Sequence, residues 1–250
     1  MLINKNFLQN ISNNEFKKYN QLVWESSGES LLKYCFRKPN KVQSNKKYPL
    51  LLFLHGAGGR GSNNTDQLID AGSLDAFQHQ LIFSKHESYL LAPQVVEEKK
   101  WVNIPWETLE HKMPKISNSM AMTFEVLDNI LKDSNYQIDI NRIYIMGISM
   151  GGYGVWDAIQ RKPNLFAAGV PICGGGDVSK SNLINHLPIW AWHGDRDEVI
   201  NVKRTTSMVK ALKSAGNDIK CSIVENRKHD VWIDVWNSKD LWNWLYSQSI

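Results

Sequence analysis

Hydrophobic residues fall into two alternating patterns along this chain. Short, nearly continuous apolar runs of strand length are separated by longer stretches in which apolar residues return every three or four positions. The run Tyr48-Pro49-Leu50-Leu51-Leu52-Phe53-Leu54 has no polar face, which predicts a strand covered by helices on both sides. Residues 84–93 with Tyr89 to Ala92, then Ile143 to Met146, Phe166 to Ile172, Ile189 to Trp192 and Ile219 to Glu225 predict further strands. Between them, Ser117 to Lys132 places Met120, Phe124, Leu127 and Leu131 on one helical stripe. Residues 66–79 predict a short helix, Thr205 to Ala215 an amphipathic one stopped by Gly216, and Lys239 to Tyr246 a terminal one. Near the start, two alternating stretches, Tyr19 to Trp24 and Ser30 to Phe36, flank Glu25 to Glu29 and predict a hairpin. Residues 97–115, with Trp101, Pro105, Trp106 and Pro114, predict a long irregular loop, a feature associated with function in compact domains.

Strand and helix alternate from residue 48 onward, so the expected class is α/β. The expected architecture is a mostly parallel, doubly wound sheet with helices on both faces and an N-terminal antiparallel hairpin. Residues 1–15 are Asn-rich and aperiodic and read as a lead-in, leaving residues 16–250 as a single domain. Ligands of such sheets gather beyond the carboxyl ends of the strands, so the loops there are where chemistry is sought.

Composition narrows the function classes. The net charge of +4 is small and the basic residues are scattered, which argues against nucleic acid and anionic membranes as partners. Three widely spaced cysteines, Cys35, Cys173 and Cys221, suggest neither a disulfide framework nor a zinc site. The first residues hold no apolar segment before a small-residue cleavage site, and no run of about 18 apolar residues occurs. The expectation is a cytoplasmic protein, or a secreted or periplasmic one if a leader has been removed.

The candidate chemistry centres on Gly147-Ile148-Ser149-Met150-Gly151, which follows the strand Ile143 to Met146. This is the form G-x-S-x-G. A strand passing straight into a helix strains the central residue, and the flanking glycines supply the space that the turn requires. Ser149 is thereby lifted out of the sheet as a candidate nucleophile at the head of a helix that Pro163 closes. A serine hydroxyl needs a base, and the base needs an orienting acid. In the chain order that accompanies this turn, both follow Ser149, which leaves His186, His193 and His229. His186 precedes a strand and lies at the wrong end of the sheet. His193 opens His193-Gly194-Asp195-Arg196-Asp197, a loop better placed to supply a carboxylate, and is read as structural. His229, after the last strand, is the candidate base. Asp197 is favoured as the acid because the apolar pair Val199-Ile200 could hold it partly buried. Asp195 is the runner-up, otherwise expected to cap the turn. Two backbone donors are needed for an oxyanion, and the N–H groups of Met150 and of Ala57, in the glycine-rich loop after Leu54, are the candidates.

Taken together, His55-Gly56-Ala57-Gly58-Gly59, Gly147 to Trp156, Val170-Pro171-Ile172-Cys173-Gly174-Gly175-Gly176-Asp177, the His193 to Asp197 loop and His229 with Trp232 resemble the α/β-hydrolase superfamily. Within it they are similar to the branch of predicted peptidases and polyhydroxybutyrate-depolymerase-like or feruloyl-esterase-like carboxylesterases. The resemblance implies the α/β-hydrolase fold, a triad of Ser149, Asp197 and His229, and no metal or organic cofactor. Two positions depart from that branch, Asn201 where proline is usual and Lys228 where glycine is usual. Ten tryptophans is a high count for this length, and Trp101, Trp106 and Trp232 are expected near the cleft mouth, as stacking platforms for a substrate or as ordinary packing. The expected activity is hydrolysis of carboxylic esters, on small-molecule, aryl, feruloyl or acetylated-carbohydrate substrates. An amidase or peptidase with the same triad and a non-catalytic binding protein on the same fold are the alternatives.

Overall fold

The structure is a computed structural model that describes residues 16–26, 30–78 and 85–250. The expected lead-in, residues 1–15, lies outside the described residues. The strands, β1 (Tyr19–Glu25), β2 (Leu31–Arg37), β3 (Tyr48–Leu54), β4 (Tyr89–Gln94), β5 (Ile138–Ile148), β6 (Ala168–Ile172), β7 (Trp190–Gly194) and β8 (Lys220–Val224), form one sheet in the order β1-β2-β4-β3-β5-β6-β7-β8. The hairpin β1–β2 is antiparallel and joins β4 antiparallel, while every other pairing is parallel. β5 therefore sits inside the sheet, flanked by β3 and β6.

The helices are α1 (Asp66–Ile69), α2 (Ser73–Gln78), α3 (Asn118–Lys132), α4 (Met150–Arg161), α5 (Lys203–Ser214), α6 (Trp232–Asn237) and α7 (Lys239–Ser247). The short helix expected over residues 66–79 is two, because Ala71 at φ 55° interrupts it. Ser117 caps α3 by accepting from the Met120 amide at 3.1 Å, and its hydroxyl donates to the Trp101 carbonyl at 2.7 Å. Residues 97–115 hold neither helix nor strand.

Alternation along each strand divides the core in two. Leu50, Leu52 and Leu54 of β3 join Ile143 and Ile145 of β5 in a cluster with Met120, Leu127, Tyr153, Trp156 and Met208 from α3, α4 and α5. Leu51 and Phe53 turn the other way, with Tyr144 and Met146, toward Phe77, Val235, Trp242 and Leu245 from α2, α6 and α7. The sheet is thus covered on both faces, as the continuous apolar run of β3 requires. β5 is longer than its apolar run because Ile138 pairs with Tyr48 before an irregularity. Asp139 stabilises that detour by accepting from the Asn141 amide at 3.1 Å and pairing with Arg142 at 2.7 Å.

Candidate active site

Ser149 occupies the junction of β5 and α4 with φ 53° and ψ −115°, a conformation that a residue with a side chain rarely adopts. The strain is held by contacts on both sides: the Ser149 amide donates to the Ile172 carbonyl at 2.8 Å and the Tyr153 amide to the Ser149 carbonyl at 3.2 Å. The glycines around it leave no room for substitution. A Cβ on Gly151 would stand 1.9 Å from the Leu54 carbonyl oxygen, one on Gly147 2.5 Å from that of Gly151, and one on Gly152 2.3 Å from that of Ile172. The head of α4 is therefore wedged between the ends of β3 and β6, and the hydroxyl projects from the carboxyl edge of the sheet.

Three side chains that are distant in sequence meet there. Ser149 Oγ lies 2.8 Å from His229 Nε2, and His229 Nδ1 lies 2.7 Å from Asp197 Oδ2. The second oxygen, Asp197 Oδ1, accepts from the amides of Val199 at 2.9 Å and Ile200 at 2.8 Å. Burial alone would raise the Asp197 carboxyl, but hydrogen bonds from His193, His229 and the Ile200 amide hold it below the usual carboxylate range. Its side chain is fully buried, so it is an anion fixed opposite an imidazole. Such a chain can remove the hydroxyl proton and stabilise the imidazolium that results.

Asp195, the alternative acid, is exposed. The turn cap expected of it belongs to Asp197, whose Oδ1 bonds the amides two and three residues on. His186 is exposed and bonds the Pro163 carbonyl at 3.2 Å, before β7 and away from the site.

His193 is buried and bonds the Ile200 carbonyl through Nε2 and Thr205 Oγ1 through Nδ1, each at 2.8 Å, as the structural reading expects. Its Nε2 also lies 3.3 Å from Asp197 Oδ2. Both neighbours of Nε2 are acceptors, so that nitrogen carries a proton, and Asp197 receives a second imidazole N–H besides that of His229. This contact was not legible in the sequence, although His193 stands four residues before Asp197 in the same loop.

The Ala57 amide begins a 3-10 turn, Ala57–Gly59, and Met150 begins α4, so each N–H falls in a first turn where no helical carbonyl is available. The loop carrying Ala57 is anchored by His55. The Val95 amide donates to His55 Nε2 at 3.0 Å, so Nδ1 carries the proton that it gives to the Gly56 carbonyl at 2.5 Å. Burial, with a smaller contribution from Arg60 and against the bond to Gly56, lowers His55 to about 4 and keeps it neutral. Asp70 also borders this loop, its carboxyl oxygens 2.8 and 2.6 Å from where a Cβ on Gly56 or Gly58 would stand. Nothing in the local sequence of Asp70 marks that position.

The tryptophans divide. Trp101 is fully buried and its indole donates to the His55 carbonyl at 3.0 Å with its ring edge-on to the His55 ring, so it packs under the loop and offers no face to a substrate. That corrects the stacking expectation for Trp101: the ring is needed to fill the space beneath the loop. Trp106 is half-buried with Lys100 Nζ 4.6 Å above its ring, and Trp232 is half-buried and edge-on to His229 at 5.4 Å. Of the two departures, the Asn201 side chain accepts from the Lys203 amide at 2.9 Å at the start of α5, and Lys228 is an exposed partner of Glu198 at 3.5 Å.

Cys173 Sγ, an Asp197 oxygen and a His229 nitrogen lie within 4.8 Å of one another, a spacing that a metal could use. The donor set fits one poorly. His229 and Asp197 are already bonded to each other, and burial, with the charges of Asp197 and Asp230, pushes the Cys173 thiol well above its ordinary range.

A strained serine between β5 and α4, an acid after β7 and a histidine after β8, on this strand order, define the α/β-hydrolase class. Residues 40–238 match the phospholipase/carboxylesterase family, and the chain belongs to it. A solved thermostable esterase is 32% identical with a TM-score of 0.87, the alignment covering 95% of this chain and 64% of that one. A bifunctional acetylxylan esterase/xylanase, XynS20E of Neocallimastix patriciarum, is 31% identical over 86 residues, 34% of this chain and 12% of that protein. An acylaminoacyl peptidase of Pyrococcus horikoshii, 17% identical with a TM-score of 0.64 over 98% of this chain and 43% of its own, shares the fold. The chain thus spans less than two thirds of each.

Proposed function

We propose that this protein hydrolyses carboxylic esters through an acyl-enzyme on Ser149. The observation that carries the reading is the unbroken hydrogen-bonded chain from Ser149 Oγ through His229 to Asp197. Ser149 Oγ attacks the ester carbonyl as His229 Nε2 takes its proton, and Asp197 balances the imidazolium. The tetrahedral oxyanion is held by the N–H groups of Met150 and Ala57. Collapse breaks the carbonyl–alkoxide bond, and His229 returns the proton to the departing alcohol. A water molecule then attacks the acyl-enzyme with His229 again as base, releasing the acid and restoring Ser149. The steps use no metal or organic cofactor.

The esterase names among the similar proteins support an ester rather than an amide as the scissile group, and the acetylxylan esterase supports testing acetylated carbohydrate beside small aryl and feruloyl esters. The peptidase likeness concerns the fold alone. Turnover of p-nitrophenyl acetate and butyrate by the purified protein, reduced by a factor on the order of 10⁴ or more in Ser149→Ala, is the expected result. Undiminished turnover in that variant, or cleavage of a peptide panel in preference to esters, overturns the reading. Failure of a fluorophosphonate to label Ser149 would favour a non-catalytic role.

A further inference from the structure

Arg204, in the first turn of α5, is a cation in an unusual setting. Its residue exposure is 2%, and among the described residues no carboxylate lies within ion-pair reach of it. Nε donates to the Tyr153 hydroxyl at 3.0 Å, Nη2 donates to His111 Nδ1 at 2.5 Å, and the guanidinium lies 4.8 Å from the Tyr153 ring centroid. All of these partners are neutral. A neutral His111 is required for Nδ1 to accept, and burial with the Arg204 charge lowers that imidazole to about 4. Nη1 has no hydrogen-bond acceptor among the described residues and is not fully sealed from solvent.

Of the neighbouring anions, Glu107 acts on Tyr153 only at longer range and forms no ion pair with Arg204, and the other two are committed elsewhere. Asp177 accepts from the Met113 amide, the Ser179 amide and the Ser179 hydroxyl, with Lys112 Nζ at 3.8 Å, and Asp197 is bonded to its two histidines. A buried guanidinium is ordinarily paired, because an uncompensated charge away from water is costly. Space for this one is reserved: a Cβ on Gly175 would stand 2.9 Å from Arg204 Cβ and 3.0 Å from its Nε.

The group is connected to the candidate active site through hydrogen bonds. Tyr153, which holds Arg204, follows Ser149 by one turn of α4 and donates its hydroxyl to the Trp106 carbonyl at 3.2 Å. Thr205, the next residue, bonds His193 and the Gly174 carbonyl, each at 2.8 Å. Arg204 is thus one hydrogen bond away from a residue that lies one helical turn beyond Ser149. We propose that Arg204, with Nη1 as the unpaired donor beside His111 and Tyr153, is an anion subsite beside the candidate active site, and that the preferred substrate is an ester carrying a carboxylate several bonds from the scissile carbonyl. The inference rests on the ester-hydrolase reading and narrows its substrate class.

The test compares p-nitrophenyl monoesters of glutaric, adipic and pimelic acid with their carboxamide-capped counterparts. A second arm compares 4-acetoxybenzoate with 4-acetoxybenzamide, so that the two arms separate an anionic acyl part from an anionic alcohol part. Wild type is expected to favour the carboxylate by about tenfold or more in kcat/KM in one arm, mostly through KM, as a bond to a charged group implies. Arg204→Gln should bring that ratio to about one, with Arg204→Lys between. A wild-type ratio of one or below in both arms overturns the proposal, as does a preference that survives Arg204→Gln. If Arg204→Gln does not fold, calorimetric titration of Ser149→Ala with adipate and adipamide decides, and equal or absent binding of adipate overturns the proposal. Hydrolysis of the capped esters without a carboxylate preference rejects this subsite alone, whereas absence of all ester turnover rejects the hydrolase reading and leaves adipate binding as the measure of the subsite.

Discussion

Asp197 shows how much one residue can be asked to do. One of its oxygens closes the turn by bonding the Val199 and Ile200 amides and the other faces two imidazoles, so its orientation is fixed from four directions. Asp197→Asn is expected to lower kcat for an aryl ester by a factor on the order of 10⁴, because the amide disfavours the tautomer that His229 needs. Asp195→Asn, at an exposed position, should leave kcat within about twofold, since surface changes away from such features are nearly silent. Loss of turnover in Asp195→Asn with activity retained in Asp197→Asn would reverse the assignment. His193 is a positioning residue in this scheme. His193→Gln should cost about tenfold in kcat, the scale of one hydrogen bond to a charged group, with the pH profile of kcat/KM displaced as well. A change confined to thermal stability would make His193 a structural residue only.

The decisive element is α4, which begins directly after the nucleophile candidate and whose approach to the sheet is set by absent side chains. Gly151 brings the helix backbone so close to the end of β3 that any Cβ must push the Leu54 carbonyl and the Ala57 loop away. Gly151→Ala is expected to destabilise the fold by roughly 3 kcal/mol and to remove ester turnover with it, as read from urea midpoints and initial rates. A stable and fully active Gly151→Ala protein would mean that the helix head can shift without consequence. The sequence announced this element through Gly147 and Gly151, because G-x-S-x-G after an apolar run is a steric requirement visible in one dimension. It announced α6 not at all, since six residues are too few to establish a helical period. The break at Ala71 was equally silent, because alanine at φ 55° has no local sequence cause.

Across the whole molecule, a buried and a half-buried neutral imidazole tie stability to pH. His55 and His111, both lowered to about 4, bind fewer protons in the folded chain than in the unfolded chain, where an imidazole titrates near its ordinary 6.5. Their contribution is complete above pH 6.5 and is lost progressively as pH falls toward about 4. Below that window Asp197, held beneath its ordinary 3.8, adds a further loss in the same direction. The urea midpoint should therefore fall between pH 7 and 4.5, with a shallower slope in His55→Asn, whereas a midpoint flat across that range would exclude this linkage. The membrane expectation meets a narrower finding: no helix among the described residues is long and apolar enough to cross a bilayer. The sequence alone determined the strand and helix alternation, the family resemblance and the candidates Ser149, His229 and Asp197, because periodicity, glycine sterics and motif order are properties of a line of residues. Tertiary structure decided what lies beside them. The second imidazole on Asp197, the burial of Trp101 beneath the His55 loop and the solitary charge of Arg204 arise from contacts between segments far apart in the chain, and a linear pattern carries no signal for such neighbours.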